Sequence, residues 1–361
     1  MISNQILQGT LEGLKGIARV ELCVMDTEGK PVAATADMGQ CTAVAVEFIG
    51  SSADSQEVQG YQYFKILDDQ QVEYILVVAG AGEDVYMIGK MVAFQIQNLL
   101  VAYKERFDKD NFVKNLLLDN LLLVDIYSRS KKLHIQTDAT RVVLIVESAA
   151  GKDGNVLELT RACVGNNGKD FITAVDEKDV IIVKEITESD DGDEIQKFSR
   201  GLITYLEKEG VEGVRIAYGT DVHEIKEVSR SYKEAKMALD VGKIFFDDRD
   251  LIAYSELGIG RLIYQLPIPL CKMFIKEIFG GKSPDDFDEE TLTTIYKFFE
   301  NSLNVSETSR QLFIHRNTLV YRLDKLQKST GLDLRVFEDA ITFKIALMVV
   351  KYMKYMETFE Y

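Results

Sequence analysis

The stretch NVSETSRQLFIHRNTLVYRLDKLQKSTGLDLRVFEDAITFKIAL, from Asn304 to Leu347, decides the fold of the C-terminal part of this chain. It predicts two short helices, over Ser306 to Leu312 and over Asn317 to Lys328, with Phe313-Ile314-His315 as the turn between them. Two pairs are candidate caps for the first helix: Asn304 with Glu307, and Ser306 with Ser309. The second helix has an apolar inner face: Leu319, Leu323, Leu326 and the adjacent Val320. This is the helix-turn-helix plan.

The polar residues at the start and on the outer face of the second helix have the chemistry needed to read a DNA duplex. The candidate DNA-binding residues are Arg310, His315, Arg316, Asn317, Thr318, Tyr321, Arg322 and Lys325. Arginine can donate two hydrogen bonds to guanine, asparagine can pair with adenine, and lysine can anchor a phosphate. A surface helical hairpin with no nucleic-acid partner has a similar general pattern, so the pattern favours DNA binding without excluding a purely structural hairpin.

Charge is unevenly distributed along the chain. The 361 residues carry 42 lysines and arginines against 58 aspartates and glutamates, a net charge of -16 at pH 7. Such a charge opposes phosphate binding by the molecule as a whole. Between Asn304 and Arg335, however, six lysines and arginines stand against three aspartates and glutamates, which leaves +3. An acidic body with one basic segment favours contact with DNA through that segment alone.

Length and composition indicate a folded chain of two or three domains, with 46% hydrophobic and 28% charged residues. The N-terminus, MISNQILQGTLEGLKG, lacks the uninterrupted apolar stretch of a signal peptide. The apolar segment Ala340 to Met353 contains Lys344 and Lys351, and no window is expected to span a membrane. We therefore expect a cytoplasmic protein.

The residues that support most metal and catalytic sites are few and scattered. Four cysteines, with no Cys-x-x-Cys pair, and three histidines favour neither a disulfide framework nor a zinc site. Gly281-Lys282-Ser283 matches the end of a phosphate-binding loop, but Lys276 stands where the first glycine is required and Pro284 follows directly. We predict no catalytic, cofactor-binding or metal-binding residue and no enzymatic activity.

The first hundred residues predict a small sheet with a helix at each end. Four strands are expected: Arg19 to Met25, Pro31 to Thr35, Gln62 to Leu67, and Tyr74 to Ala79. From Val85 to about Phe107, apolar residues recur every three or four positions, as in a long amphipathic helix. This order is typical of a sensor, and we predict a PAS/GAF-like ligand-sensing domain over 1–106.

The remainder of the chain divides into four predicted segments, which make the whole a multi-domain α+β protein. Phe112 to Ile126 reads as an apolar helix within a helical connector, 107–136, that packs on a neighbouring domain or a second subunit. Alternating strands and helices follow in an α/β domain over 137–258. Prolines and glycines mark a linker over 259–290, and an all-α helix-turn-helix domain is predicted over 291–361.

The core HRNTLVYRL at His315 to Leu323, followed by Thr330-Gly331-Leu332-Asp333, resembles the C-terminal helix-turn-helix of the PucR and CdaR (carbohydrate diacid regulator) family. Upstream, Ser231-Tyr232-Lys233-Glu234-Ala235 with Ala238-Leu239 resembles the closing helix of that family's degenerate GGDEF-like domain. Phe107 to Phe112, through Leu116-Leu117-Leu118, resembles its helical connector. The resemblance covers about two thirds of the chain, from Phe107 onward.

The resemblance implies a ligand-responsive transcriptional regulator that binds double-stranded DNA as a homodimer or higher homo-oligomer, with no cofactor. It places five residues in the DNA-reading element: Arg316, Asn317, Thr318, Tyr321 and Arg322. Ligand binding would shift the connector helices and so re-space two DNA-binding heads.

The effector is less clear from the sequence. Val24-Met25-Asp26, with Gly29 and Ala33-Ala34, resembles the opening hairpin of a sugar-diacid recognition domain, which implies a sugar acid. The rest of the first hundred residues departs from that pattern. A dicarboxylate requires cationic partners or convergent backbone donors, and between Val20 and Leu100 the only cations are Lys30, Lys65 and Lys90. The residues therefore leave the effector open.

Two alternative functions remain open at this point. The chain could be a signalling module that binds a protein through its leucine-rich connector, or its GGDEF-like domain could bind a nucleotide. Asp190-Asp191-Gly192-Asp193-Glu194-Ile195 is similar to a GGDEF loop. In that fold the signature lies on a hairpin between two strands, whereas here it follows a strand and precedes a helix. A solvated acidic helix start is therefore expected, without cyclase activity.

Overall fold

The computed structural model describes residues 2–68, 70–149, 155–165, 168–175, 179–187, 193–280 and 287–358. These residues form two compact units, Met1–Val113 and Lys114–Tyr361. Two of the sequence features, Asp190-Asp191-Gly192 and Gly281-Lys282-Ser283-Pro284, lie outside the described residues.

The first unit is built on a five-stranded antiparallel sheet with the order β2-β1-β5-β4-β3. Its strands are β1 (Leu22–Met25), β2 (Pro31–Ala34), β3 (Ser55–Val58), β4 (Tyr61–Asp68) and β5 (Gln71–Ala79). Its helices are α1 (Asn4–Ala18), α2 (Thr42–Ile49) and α3 (Glu83–Leu117), the last of which continues into the second unit.

Side chains alternate across this sheet and build a separate core on each face. Val24 and Leu76 belong to the core that includes residues of α1 and α3, whereas Cys23, Tyr63 and Ile75 belong to the core that includes residues of α2. Helix α3 approaches the sheet closely at Gly89, because a Cβ there would lie 2.2 Å from Cε2 of Phe64.

Helix α3 is longer than the sequence predicted, and it contains a long apolar stretch that the sequence analysis did not single out. Its 35 residues extend ten residues beyond Phe107, because Phe112, Val113, Leu116 and Leu117 continue an apolar face at helical spacing and are buried. Among the described helices, α3 alone is long and apolar enough to cross a membrane by length and composition. The sequence had predicted no stretch that could span a membrane. Its Val92, Ile96 and Leu100 are buried in the core of the first unit.

The predicted connector helix from Phe112 to Ile126 is interrupted in the structure. Helix α3 ends at Leu117, and α4 spans Leu123–Lys132. Asp119 has the left-handed backbone angle φ = 62°, which short polar side chains tolerate, and the Asn120 N–H donates to the Asn115 carbonyl at 2.9 Å. A helix-ending turn therefore replaces the continuous helix.

The middle of the second unit is a mixed α/β domain with the sheet order β10-β9-β6-β8-β7. The strands are β6 (Arg141–Glu147), β7 (Phe171–Ala174), β8 (Asp179–Glu185), β9 (Arg215–Tyr218) and β10 (Leu251–Ala253). Only the β9–β10 pair is parallel among these described strands. The accompanying helices are α5 (Asn155–Val164), α6 (Asp193–Lys208) and α7 (Val228–Phe245).

The segment predicted to be a linker, 259–290, contains two helices, α8 (Gly260–Tyr264) and α9 (Ile268–Phe279). The residues that signalled a break lie at the ends of α9. Pro267 is its N-cap, Pro269 lies in its first turn, and Gly280 ends it with φ = 60°. Buried residues of α9 share two cores with residues of the C-terminal helices.

The C-terminal domain is all-α, as the sequence predicts. Its remaining helices are α10 (Glu289–Glu300), α11 (Val305–Gln311), α12 (Arg316–Thr330) and α13 (Phe337–Glu357). Their shared core includes Ile295 and Phe298 of α10, Leu319, Leu323 and Leu326 of α12, and Phe343 of α13.

Candidate nucleic-acid interface

Helices α11 and α12 are each started by a side-chain cap. Asn304 Oδ1 accepts hydrogen bonds from the backbone N–H groups of Ser306 and Glu307 at 3.0 and 3.1 Å, so Asn304 is the cap of α11. His315 Nδ1 accepts from the N–H of Asn317 at 3.2 Å and caps α12. His315, a candidate DNA contact, therefore also fixes the start of the second helix.

The turn between the helices, Leu312 to His315, is held by a backbone hydrogen bond from the Ile314 N–H to the Ser309 carbonyl at 3.0 Å. Ile314 packs against the core of the domain. Phe313 has φ = 55° and points away from it, with 96% of its surface exposed.

Helix α12 has two faces of opposite character. Leu319, Leu323 and Leu326 are buried in the helical core. The opposite face carries exposed polar residues at steps of four, four and three: Asn317, Tyr321, Lys325 and Lys328. Arg316 and Thr318 are exposed beside this stripe at the helix N-terminus. Lys328 was not among the sequence candidates, although its spacing from Lys325 places it on the same stripe.

Three of the six lysines and arginines between Asn304 and Arg335 form salt bridges. Arg310 pairs with Glu307 on α11. Arg335 pairs with Asp333 at 2.7 Å and with Asp324 at 2.8 Å. Arg322 pairs with Glu290. The other three cations between Asn304 and Arg335, a stretch that the structure describes throughout, are Arg316, Lys325 and Lys328; they form no salt bridge there, and all three are exposed.

Arg322 is the sequence candidate that the structure separates from the others. Its guanidinium lies against α10, where it donates to Oγ1 of Thr294 at 3.1 Å and to the carboxylate of Glu290. Its side chain is only 23% exposed. Position 322 lies next to the buried leucine face, so a long side chain there reaches the neighbouring helix instead of solvent.

Acidic side chains around the interface are held in the charged form. Hydrogen bonds from Thr291 lower the pKa of Asp288, the N-cap of α10, and Lys325 and Arg322 add a smaller electrostatic effect. The hydrogen bond from Arg335 lowers the pKa of Asp333. These carboxylates thus keep their negative charge as the pH falls toward their ordinary pKa values.

The dimensions of α12 suit a DNA groove. A helix of 15 residues is roughly 22 Å long and 10–12 Å across, and the major groove of B-DNA is about 12 Å wide. The N-terminal end that carries Arg316, Asn317 and Thr318 also supplies the positive end of the helix dipole. Helix α12 therefore has the length and the width to enter such a groove.

The middle domain offers less to a ligand. Strands β7 and β8 form a hairpin, and the residues between them in the sequence are Val175-Asp176-Glu177-Lys178, with no pair of glycines. A cavity of about 530 Å³ lies at one end of the sheet. Two cations that border the cavity already have partners within the protein. Lys243 pairs with Glu147 at 2.5 Å, and Arg215 donates to the carbonyls of Asp247 and Arg249, each at 3.1 Å.

Comparison with known proteins supports this arrangement. The model of the PucR C-terminal helix-turn-helix domain matches residues 291–349, and that of the GGDEF-like domain matches residues 120–241.

Three relatives carry names of regulators. The Carbohydrate diacid regulator of Escherichia coli (strain K12) is 25% identical over 277 residues, 74% of this chain and 72% of that protein. The Proline-responsive transcriptional activator PutR of Bacillus subtilis (strain 168) is 23% identical over 324 residues, 83% of this chain and 75% of that protein. The Purine catabolism regulatory protein of the same organism is 26% identical over 122 residues, 34% of this chain and 23% of that protein. The two matched domains and these relatives show that the chain is a DNA-binding transcriptional regulator of the PucR/CdaR type.

Proposed function

We propose that this regulator reads a specific DNA sequence by inserting α12 into the major groove. Arg316, Asn317 and Thr318 would contact base edges and nearby phosphates, while Lys325 and Lys328 would contact the phosphate backbone. The observation that carries the proposal is the exposed stripe of α12, whose cations have no salt bridge in the described structure and whose opposite face is buried. Arg310 and Tyr321 would lie at the margin of this interface.

Arg316 and Arg322 provide a matched test, because they are the same residue type on the same helix with different surroundings. In fluorescence anisotropy with DNA from upstream of the coding region, Arg316→Ala should weaken binding about tenfold or more. It should also reduce the slope of log affinity against log salt by about one if Arg316 contacts a phosphate. Arg322→Ala should instead lower the free energy of unfolding by about 1 kcal/mol. Its salt slope should match that of the wild type.

Two outcomes would contradict the assignment. If folded Arg322→Ala lost as much affinity and salt slope as Arg316→Ala, the separation of the two arginines would be wrong. If the wild-type chain did not bind DNA even in dilute salt, α12 would not be a recognition helix. Lys208→Ala in the middle domain removes an exposed cation and serves as the charge control.

We further propose that the first unit is a PAS/GAF-like sensor and that its effector is a sugar diacid or a related acid. Support comes from the single antiparallel sheet with helices packed on both faces, and from the name of the E. coli relative. Lys65 is poorly placed to bind a dicarboxylate, because its ammonium donates to the carbonyls of Ile49 and Ser51 at 3.1 and 2.5 Å. Backbone donors would have to supply most of the recognition.

The effector proposal is tested by thermal unfolding of the full chain with D-glucarate and with the neutral alditol of equal length. We expect glucarate alone to raise the melting temperature, since a ligand that binds only the native state at 100 times its Kd stabilises by about 2.7 kcal/mol. Equal shifts with both compounds, or no shift, would rule out recognition of the carboxylates.

The assembly that we propose is a homodimer paired through α3. Its surface outside the core of the first unit carries exposed residues at alternating steps of four and three: Met87, Met91, Phe94, Asn98 and Val101. This is the spacing of a two-stranded coiled-coil seam, and a single asparagine within such a seam fixes its register. Two DNA-binding heads would then occupy half-sites about one helical turn, ~34 Å, apart.

In this proposal the middle domain has no enzymatic activity and transmits the signal between the sensor and the DNA-binding heads. The residues between β7 and β8 lack the paired glycines of a cyclase signature, which supports that role. The protein would act in the cytoplasm, where effector binding would shift α3 and α4 and re-space the two heads.

A further inference from the structure

Phe313 is exposed in a way that the fold does not explain. Among the described residues it is the most exposed large apolar side chain, at 96%. An apolar side chain that lies fully in solvent contributes nothing to the core, and a single one is informative only together with its backbone conformation and its position. The neighbouring residues behave differently, because Leu312 and Ile314 both pack against the helical core.

The backbone at Phe313 adds a second observation. Its φ of 55° lies in the left-handed region, where a bulky residue is rare and glycine or asparagine is favoured. An aromatic residue at this position is therefore unfavourable for the turn itself. Strain of this kind is concentrated at functional sites, where the direction of a side chain matters more than local stability.

The position of the turn indicates what the ring contacts. Phe313 precedes the exposed Arg316 by three residues, and His315 between them caps the helix whose N-terminus carries Asn317 and Thr318. These are the residues assigned to base edges. Phenylalanine makes apolar contact with the C5-methyl group of thymine in the major groove, and this contact carries sequence information without charge.

We propose that Phe313 is a specificity-determining residue that contacts a thymine methyl group beside the bases read by α12. The proposal rests on the proposed function of α12 as the recognition helix. It adds an uncharged contact to the charged ones already assigned, so its energetic signature differs from theirs. Loss of Phe313 should reduce discrimination between sequences and leave the salt dependence unchanged.

The test uses the full chain and the tightest-binding duplex that the wild type selects from a randomised pool. Each thymine of that duplex is replaced in turn by uracil, which lacks only the C5-methyl group. For the wild type, one replacement should weaken binding about three- to tenfold, within the range expected for one altered base pair. Phe313→Ala should weaken binding to the thymine duplex by a similar factor and should be insensitive to that same replacement.

Folding and charge effects are separated by two further measurements. Phe313→Gly suits the left-handed backbone, so its unfolding midpoint should equal or exceed that of the wild type while its specificity is lost. The salt slope of both variants should match the wild type, in contrast to Arg316→Ala.

Three results would overturn the proposal: unchanged specific affinity of Phe313→Ala, an equal loss on specific and unrelated DNA, or a uracil effect that persists in full in Phe313→Ala. A Phe313→Ala variant with a changed oligomeric state would instead assign the ring to a protein contact. If no duplex were selected at all, the proposed function of α12 would fail rather than the role of Phe313 within it.

Discussion

Phe298→Ala should lower the free energy of unfolding of the C-terminal domain by about 3–5 kcal/mol, the range for removing a fully buried phenylalanine ring. Phe298 is 0% exposed and belongs to the core that also contains Leu319 and Leu323 of α12 and Phe343 of α13. The loss has two parts: the favourable free energy of burying the ring is lost, and the neighbouring side chains cannot fill the cavity that remains. The free energy of unfolding of an ordinary domain is about 5–15 kcal/mol in total. A substantial fraction of the variant molecules would therefore have an unfolded C-terminal domain at moderate temperature.

The chain contains no tryptophan, so unfolding is best followed by circular dichroism in urea. Phe337→Ala is the matched control, because Phe337 is 64% exposed and lies at the start of α13 in the same domain. It should change stability by no more than about 0.5 kcal/mol. Similar urea midpoints for Phe298→Ala and the wild type would mean that this core does not hold the domain together.

The same substitution should also abolish DNA binding as the domain unfolds. The leucines of α12 share their core with Phe298, so the exposed stripe keeps its geometry only while that core is intact. Binding by Phe298→Ala should therefore track the folded fraction and recover on stabilisation by an osmolyte. Arg316→Ala, whose side chain is exposed, should show no such recovery.

Helix α12 could be predicted because its signals are local. Leucine spacing gave a helix from Asn317 to Lys328, and the structure extends it by one residue at the start and two at the end. The place of Arg322 could not be predicted, since its position beside the leucine face is compatible with solvent or with a neighbouring helix. Only the packing of α10, which presents Glu290 and Thr294, decides between them.

Elements that depend on tertiary pairing were missed. Strand β3, Ser55–Val58, reads SQEV and has no apolar alternation, and it forms at the edge of the sheet because β4 supplies its hydrogen bonds. Helix α2, TAVAVEFI, contains β-branched residues that do not favour a helix, yet Phe48 and Ala45 bury against the sheet. Pro267 and Pro269 were read as breakers because a proline can follow the end of one helix or occupy the start of the next, and the sequence pattern is the same in both cases.

Phe94→Glu should convert the protein from a dimer to a monomer, if α3 forms the proposed seam. Phe94 is 66% exposed and lies between Met91 and Asn98 on the seam, so in a paired state each copy would bury a glutamate against its partner. Burying an unpaired carboxylate is far more unfavourable than exposing it, and the dimer should dissociate. Gln95→Glu places the same side chain on the next residue, which is exposed but off the seam, and should leave the dimer intact. Light scattering over a range of protein concentrations measures both.

Dissociation should affect a double operator far more than a single half-site. Linking two heads makes the second contact intramolecular, which strengthens binding by about 10²- to 10⁴-fold without any new contact. Phe94→Glu should lose most of that factor on DNA with two half-sites and should match the wild type on one half-site, because α12 is unchanged. If the wild type were a monomer, or if Phe94→Glu kept both its oligomeric state and its affinity for the double site, the α3 seam would be wrong.

Asn98→Val tests whether Asn98 fixes the register of the paired helices. Removing this polar residue should strengthen the pairing of the helices and should also permit assemblies other than the dimer.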